Sequence, residues 1–385
     1  MSWVGVVGIL LGLLAYPWAT IRRERRDFAF FMILYLLHVA AGIFSYQLAQ
    51  TGASDSALYY YDPGHFYGNG FGLSTGFVIY MVQWMRGLIG GTYLDYFLLF
   101  QAFGFFGIAT LMRIFQEIYE EIGQPQPVFT YLLLFLPGLH FWTSSIGKDA
   151  PLFFGACLAL WASMRLTRRY IVFGAAIVIM MVFRPHIAML AMAAGSVAIL
   201  FEKRTRPALK FALFCIAVVG TGVVASSLGS TLGLDLTNAD AVSTYISSRE
   251  EVTLRAQEGM NTAVLGASFP VKLFSLLFRP LFLDAAGALA YLASLENLAF
   301  LGLFLATFAN VPRLLAVTRN ILFARYALFF FLFVAFLLAF VYYNVGLGLR
   351  QKTMFVPAIL VLFVAGQAVA RSVRTIRPPP VAQAN

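Results

Sequence analysis

Lys148-Asp149, Arg184-Pro185-His186, Arg279-Pro280 and Arg350-Gln351-Lys352 are four short segments that place basic groups at the ends of apolar runs. Groups of this kind suit one chemistry above others, the holding and neutralising of a phosphate. Arginine does this with a planar fork and lysine with a compact point charge. A fifth segment, Tyr59-Tyr60-Tyr61-Asp62-Pro63-Gly64-His65-Phe66-Tyr67, follows Asp55 and sets a carboxylate against aromatic surface. Asp62 reads as a general base for an acceptor hydroxyl, or as a ligand for a divalent metal together with His65 or Asp55. Tyr60, Tyr61 and Tyr67 offer flat faces on which sugar rings can stack.

Each of these residues also has a plainer reading. Tyrosines gather at membrane interfaces without any catalytic role. Lys148 and Asp149 neutralise each other at a hairpin, or Lys148 faces a phosphate while Asp149 orients it. Arg184 and His186 flank a proline that fixes their turn. Glu296 falls inside an apolar run, where an ionisable group is costly and faces a cavity or a partner; Arg279 or Arg184 is the expected partner. His38 and His140, also within apolar runs, read as structural.

The elements that must position these groups are membrane helices. The chain is 61% hydrophobic and 11% charged, with a mean hydropathy of +0.81, which excludes a water-soluble core. Eleven spans can be drawn, near 2–20, 28–50, 93–112, 127–147, 150–164, 170–183, 187–201, 208–228, 286–309, 322–346 and 354–370. The pattern lacks the alternating segments of an outer-membrane barrel, so the expected class is an all-α, polytopic integral membrane protein with residues 1–370 as a single transmembrane domain. Outer loops are expected near 51–92 and 229–285, and a disordered tail over 371–385. Within the loops, Phe77–Leu88 reads as an amphipathic stretch too polar and too short to span, and Phe269–Pro280 as a helix lying in the interface. Both cysteines, Cys157 and Cys215, fall in spans, so no disulfide framework is implied.

Charge sets the orientation. With Arg22, Arg23, Arg25 and Arg26 inside, as basic loops prefer, the later spans alternate, the N-terminus is periplasmic and the C-terminus cytoplasmic. Nine of the 27 basic residues then lie on the disfavoured outer side: Arg86, Lys148, Arg184, Arg249, Arg255, Lys272, Arg279, Arg350 and Lys352. An anionic outer substrate accounts for them, and the net charge of +10 is a topological excess, not a nucleic-acid signal. Spans 150–164, 170–183 and 187–201 rise only about 21–23 Å against a hydrocarbon core of about 30 Å, so their outer ends are expected to sit in a recess. No Walker A, Rossmann, HExxH or zinc-ligand spacing is present.

Leu136-Pro137-Gly138-Leu139-His140-Phe141-Trp142 running into Gly147-Lys148-Asp149-Ala150, Phe278-Arg279-Pro280 through Asp284 to Glu296-Asn297, and Leu349-Arg350-Gln351-Lys352 together resemble bacterial multi-spanning proteins of cell-surface polysaccharide synthesis. That group includes repeat-unit polymerases and membrane glycosyltransferases of the GT-C type. The resemblance implies a GT-C-like fold in the bacterial inner membrane and a polyprenyl-phosphate-linked sugar as substrate. It also implies polysaccharide assembly proteins as partners. GT-C families place an acidic residue in the first outer loop, for which Asp62 is the nearest match and Asp55 the second. The chain has no adjacent acidic pair there, and no large soluble C-terminal domain.

The expected function is therefore transfer or polymerisation of sugars from a polyprenyl-(di)phosphate donor on the outer face. Arg184, Arg279, Arg350, Lys352 and Lys148 would hold the phosphate, with Asp62 as base. The rivals are a flippase for the same lipid-linked sugars and a non-catalytic subunit of an assembly complex. A flippase usually carries internal repeats or paired broken helices, and the sequence shows no such symmetry.

Overall fold

A computed structural model describes residues 1–22, 24–52, 54–61, 71–202, 266–285, 287–341 and 345–376, with isolated positions between 207 and 264. Asp62, His65, Tyr67, the 241–260 segment almost entirely and most of the 208–228 span lie outside these residues. Among the described residues every regular element is helical. Five helices are long and apolar enough to cross a membrane: α3 (Arg25–Ala49), α6 (Tyr93–Glu121), α10 (Leu166–Phe183), α13 (Ala288–Phe308) and α15 (Leu322–Phe340). A bent pair, α16 (Val345–Lys352) and α17 (Val356–Ile376), makes a sixth if counted as one span, with a 52° break between its halves.

The exterior of these helices argues for lipid. In α13 the buried residues are Ser294, Asn297, Phe300 and Thr307, three of them polar. Leu289, Leu292, Leu295, Leu298 and Leu305 of the same helix face outward. A soluble helix does the reverse; apolar faces this continuous are stable only against hydrocarbon or a partner. The chain therefore has the build of a polytopic membrane protein.

Among the described residues fewer full spans are present than the eleven expected. α1 (Trp3–Leu13) and α2 (Tyr16–Ala19) divide the first stretch, and α9 (Asp149–Met164) and α11 (Pro185–Leu200) are 16-residue apolar helices. At a rise of 1.5 Å per residue these two cover about 24 Å, short of a full crossing. The expected span at 127–147 is broken. α7 (Val128–Leu132) runs into a 3-10 turn at Leu133–Phe135, and α8 (Pro137–Trp142) starts afresh. Pro137 is the cause. It has no amide to donate, and it pushes Leu136 out of helical geometry, to φ −56° and ψ 118°. The tail also differs from expectation, since α17 carries on through residues 371–376. α4 (Ser56–Tyr61), α5 (Thr75–Ile89) and α12 (Phe269–Phe278) fall in the two regions expected as outer loops, the last where a short helix was expected.

α6 is the axis of the fold. It is buried along most of its length and packs on α1, α3, α9 and α17. Its start is fixed by Asp95, which accepts from the amide and hydroxyl of Thr92 (both 2.7 Å) and from the amide of Ser2 (2.9 Å). Its other end carries a buried carboxylate, Glu117, which accepts from Arg113 (2.8 Å), Trp161 (2.9 Å) and Arg169 (2.9 Å). That cluster locks α6 to α9 and α10, with the Arg169 guanidinium 3.7 Å from the Trp161 ring centroid.

Gly104 brings two backbones into contact. A Cβ there would collide with the carbonyl oxygen of Thr143, so the absence of a side chain lets the segment after α8 lie directly on α6. That segment delivers Lys148 and Asp149. Gly104→Ala is expected to lower thermal stability in maltoside micelles, by an overpacking cost of about 1–3 kcal/mol. Gly302→Ala, in the interior of α13 where a Cβ meets nothing within 4 Å, is expected to be neutral or slightly stabilising. Equal effects of the two would remove the close approach from the account.

Candidate functional site

Asp149 is the first residue of α9, where a carboxylate is favoured by the free amides of the helix start. It is only 4% exposed. Both oxygens are taken by arginines from distant parts of the chain. Arg184 Nη2 donates to Oδ1 at 3.0 Å, and Arg350 Nε donates to Oδ2. Arg350 also reaches Asp55, Nη1 to Oδ2 at 2.8 Å. Residues from the α3–α4 connection, α9, the α10–α11 junction and α16 thus meet at one point.

Local structure explains the aim of each group. Arg184 caps α10 and precedes Pro185, which opens α11 at a position needing no amide donor. The helix direction changes at Arg184, and its side chain turns onto the start of α9. Arg350 sits on α16, not in the tight turn expected from sequence. On a helix, positions two apart point to different sides, so Arg350 and Lys352 part company.

Asp149 was expected to orient or neutralise Lys148. It serves Arg184 and Arg350 instead, and Lys148 donates to the Thr75 hydroxyl of α5 at 2.9 Å. Burial lowers the Lys148 ammonium to about 8, with the like charges of Arg184 and Arg350 acting in the same direction. His186 follows Arg184 by two residues and is half-buried. Tyr59 is buried near Arg350, and burial pushes its phenol up to about 12, so it stays neutral. The Nε of Arg184 is a buried donor with no acceptor. Three cations against two carboxylates, one donor unspent and one ammonium held only by a neutral hydroxyl: such a cluster is complete only with an added acceptor, preferably an anion.

The remaining predicted phosphate ligands form a second group. Arg279 makes a two-pronged contact with Asp284, both bonds at 2.7 Å, which holds that carboxyl below its usual range. Lys352, 7% exposed, donates to Asn297 Oδ1 at 2.5 Å and to the carbonyl of Arg279 at 3.3 Å. Glu296 pairs with neither Arg279 nor Arg184. It accepts the Gly138 amide at 2.6 Å, one of the free donors at the start of α8, and a Cβ on Gly138 would stand 2.7 Å from its Oε1. The broken helix and the acidic residue inside α13 are two halves of one contact.

The tyrosines divide likewise. Tyr60 is buried, its hydroxyl donating to Gly91 O at 2.9 Å and its ring lying 4.2 Å from the Arg86 guanidinium. It anchors α4 and is not free to stack on a sugar. Tyr61 is exposed, and Asp62, His65 and Tyr67 lie outside the described residues. Among the described residues no three His, Cys, Asp or Glu side chains converge as metal ligands; of the expected ligands Asp55 is engaged by Arg350, and Asp62 and His65 lie outside the described residues. His38 and His140 face each other across α3 and α8, Nδ1 to Nδ1 at 3.2 Å.

Sequence reasoning missed Thr75, which carries no charge to mark it, gave Tyr59 no role within its aromatic run, and counted Arg86 among the outer cations although its guanidinium lies over Tyr60. It also assigned one clamp where the fold builds two groups. The chain matches no known family model, no curated protein and no solved structure.

Proposed function

We propose that this protein transfers or polymerises sugars from a polyprenyl-(di)phosphate donor on the outer face of a bacterial inner membrane. The observation that carries the reading is the meeting of Lys148, Arg184 and Arg350 around Asp149, with the Arg184 Nε donor unspent. Asp149 fixes the two guanidinium groups before any substrate arrives, so little reorganisation is needed when a phosphate docks. In the reaction an acceptor hydroxyl attacks the anomeric carbon and the bond from that carbon to the phosphate oxygen breaks. The polyprenyl (di)phosphate leaves with the electron pair, and the cations hold the charge that develops on it. Asp62 takes the hydroxyl proton in this scheme, and the exposed ring of Tyr61 offers a stacking face. Arg279 and Lys352 support the site by bracing α16 instead of touching phosphate.

Deleting the gene in a polymer-producing host tests the reading. Accumulation of single lipid-linked units at the outer leaflet is expected. Accumulation at the inner leaflet would move the assignment to a flippase, and unchanged polymer would exclude any part in its synthesis.

A further inference from the structure

The opposite end of the bundle holds a second polar site that the transferase reading does not use. The start of α3 and the end of α6 line a partly open pocket of about 90 Å³, room for about three waters or one five-atom oxyanion. Four buried polar atoms without a hydrogen-bond partner belong to residues that line it: Arg26 Nε, whose one ionic contact is Asp27 Oδ1 at 4.0 Å, Gln116 Nε2, Tyr119 Oη and Gln126 Oε1. Gln116, Tyr119 and Gln126 are each less than a tenth exposed. Leaving one such group unpaired is costly, and four around one space are a set of complementary demands.

Their chemical sense is fixed by their other bonds. The Ile21 amide donates to Gln116 Oε1 at 2.7 Å, so the free atom of that amide is the donor nitrogen. Gln126 Nε2 donates to the Thr130 hydroxyl at 2.8 Å, and that hydroxyl spends its own proton on Pro127 O at 2.7 Å. The free Gln126 atom is therefore an acceptor. Arg26 Nε can only donate, and the Tyr119 hydroxyl can donate. The cavity asks for a ligand that accepts two or three hydrogen bonds and gives one back.

Arg22 and Arg26 line the space beside Glu24, Asp27 and Glu120, and Arg371 lies 5.7 Å from the Tyr119 ring centroid. Of the facing acids, Asp27 accepts from Tyr131 at 2.5 Å and lies 4.0 Å from Arg26, Glu24 is exposed and lies 3.7 Å from Arg26, and Glu120 is exposed.

We infer that this cavity binds a phosphate carrying a P–OH group, either free phosphate or the headgroup of a lipid phosphate monoester. Its unesterified oxygens accept from Gln116, Arg26 and Tyr119, and its hydroxyl donates to Gln126. Sulfate and phosphodiesters, which have no such hydroxyl near neutral pH, are discriminated against.

Thermal unfolding of the full chain in phosphate-free maltoside micelles tests this. Inorganic phosphate is added in one arm and short-chain phosphatidic acid in the other, with sulfate and phosphatidylglycerol as controls. A rise in Tm with phosphate identifies the free ion. A rise with phosphatidic acid alone identifies a lipid headgroup. Tyr119→Phe is expected to weaken the effect at least about tenfold while leaving the ligand-free Tm unchanged or higher, because it removes only the unpaired atom; Gln116→Leu is expected to weaken it equally but to lower the ligand-free Tm, because it also takes the acceptor of the Ile21 amide. If Gln116→Leu does not fold, Gln126→Leu replaces it. Equal shifts with sulfate or the phosphodiester, no shift in either arm, or full shifts in the variants would overturn the site and leave a hydrated cavity.

Discussion

Asp149→Ala is expected to be among the most damaging single substitutions in the chain, costing about 3–5 kcal/mol of stability and abolishing activity. The carboxylate is buried, and its oxygens hold Arg184 and Arg350. Without it two partly buried guanidinium groups face each other with little solvent to separate them. Asp149→Asn is expected to fare little better, because an amide nitrogen would turn a donor toward a donor. Asp55→Ala removes the other carboxylate on Arg350, but Asp55 is 61% exposed in its side chain, where an ion pair is worth about 0–1 kcal/mol. Thermal unfolding of the three variants in micelles gives the ranking. Replacing Asp149, Arg184 and Arg350 together by apolar residues is expected to recover much of the lost stability without recovering activity, since removing a whole buried ionic group is far milder than breaking it. Equal losses for Asp55→Ala and Asp149→Ala would show that the cluster is not organised around Asp149.

The second large effect belongs to Lys148 and runs in opposite directions for binding and for stability. Its ammonium titrates at about 8, below the usual 10.5, chiefly because it is buried. Below pH 8 it is charged and can meet a phosphate. Above pH 8 it is neutral, so phosphate-lipid affinity is expected to fall by up to about tenfold per pH unit between 8 and 10. Stability moves the other way. Between pH 8 and 10.5 the unfolded chain holds a proton that the folded chain has released, so this residue's contribution to stability rises with pH. Lys148→Met is expected to weaken binding at pH 7 by about tenfold to a hundredfold, the worth of a charged hydrogen bond, and to flatten both profiles. Thr75→Val, which removes the one hydroxyl on the ammonium, is expected to alter the binding midpoint while leaving the charge in place. A binding profile for Lys148→Met that still falls through pH 8 would assign the titration to another group.

Membrane character was legible from composition, and the grouping of Lys148, Arg184 and Arg350 from the positions of cations at span ends. Two features hid the rest. Hydropathy cannot distinguish a helix from a broken one, so 127–147 read as a span although Pro137 and Gly138 stop it and Glu296 caps the new start. Spacing cannot give direction until the element is known. Arg350 and Lys352 look like a pair in a turn, yet on α16 one reaches Asp149 and the other Asn297. Tyr60 shows the same limit. An aromatic run gives no sign of which ring the core claims, and Arg86 covers this one. The unpaired atoms of Gln116, Tyr119 and Gln126 are invisible in sequence altogether, because their significance lies in which neighbours they lack.

Elongation of extracted lipid-linked oligosaccharide by the purified protein in liposomes tests the central claim most directly. The comparison is wild type against Lys148→Met, with Gly302→Ala as a folded control. Longer products from wild type and Gly302→Ala, with little or none from Lys148→Met, are predicted. Equal elongation by all three would contradict a phosphate site at Lys148, and no elongation by wild type would contradict the transferase itself.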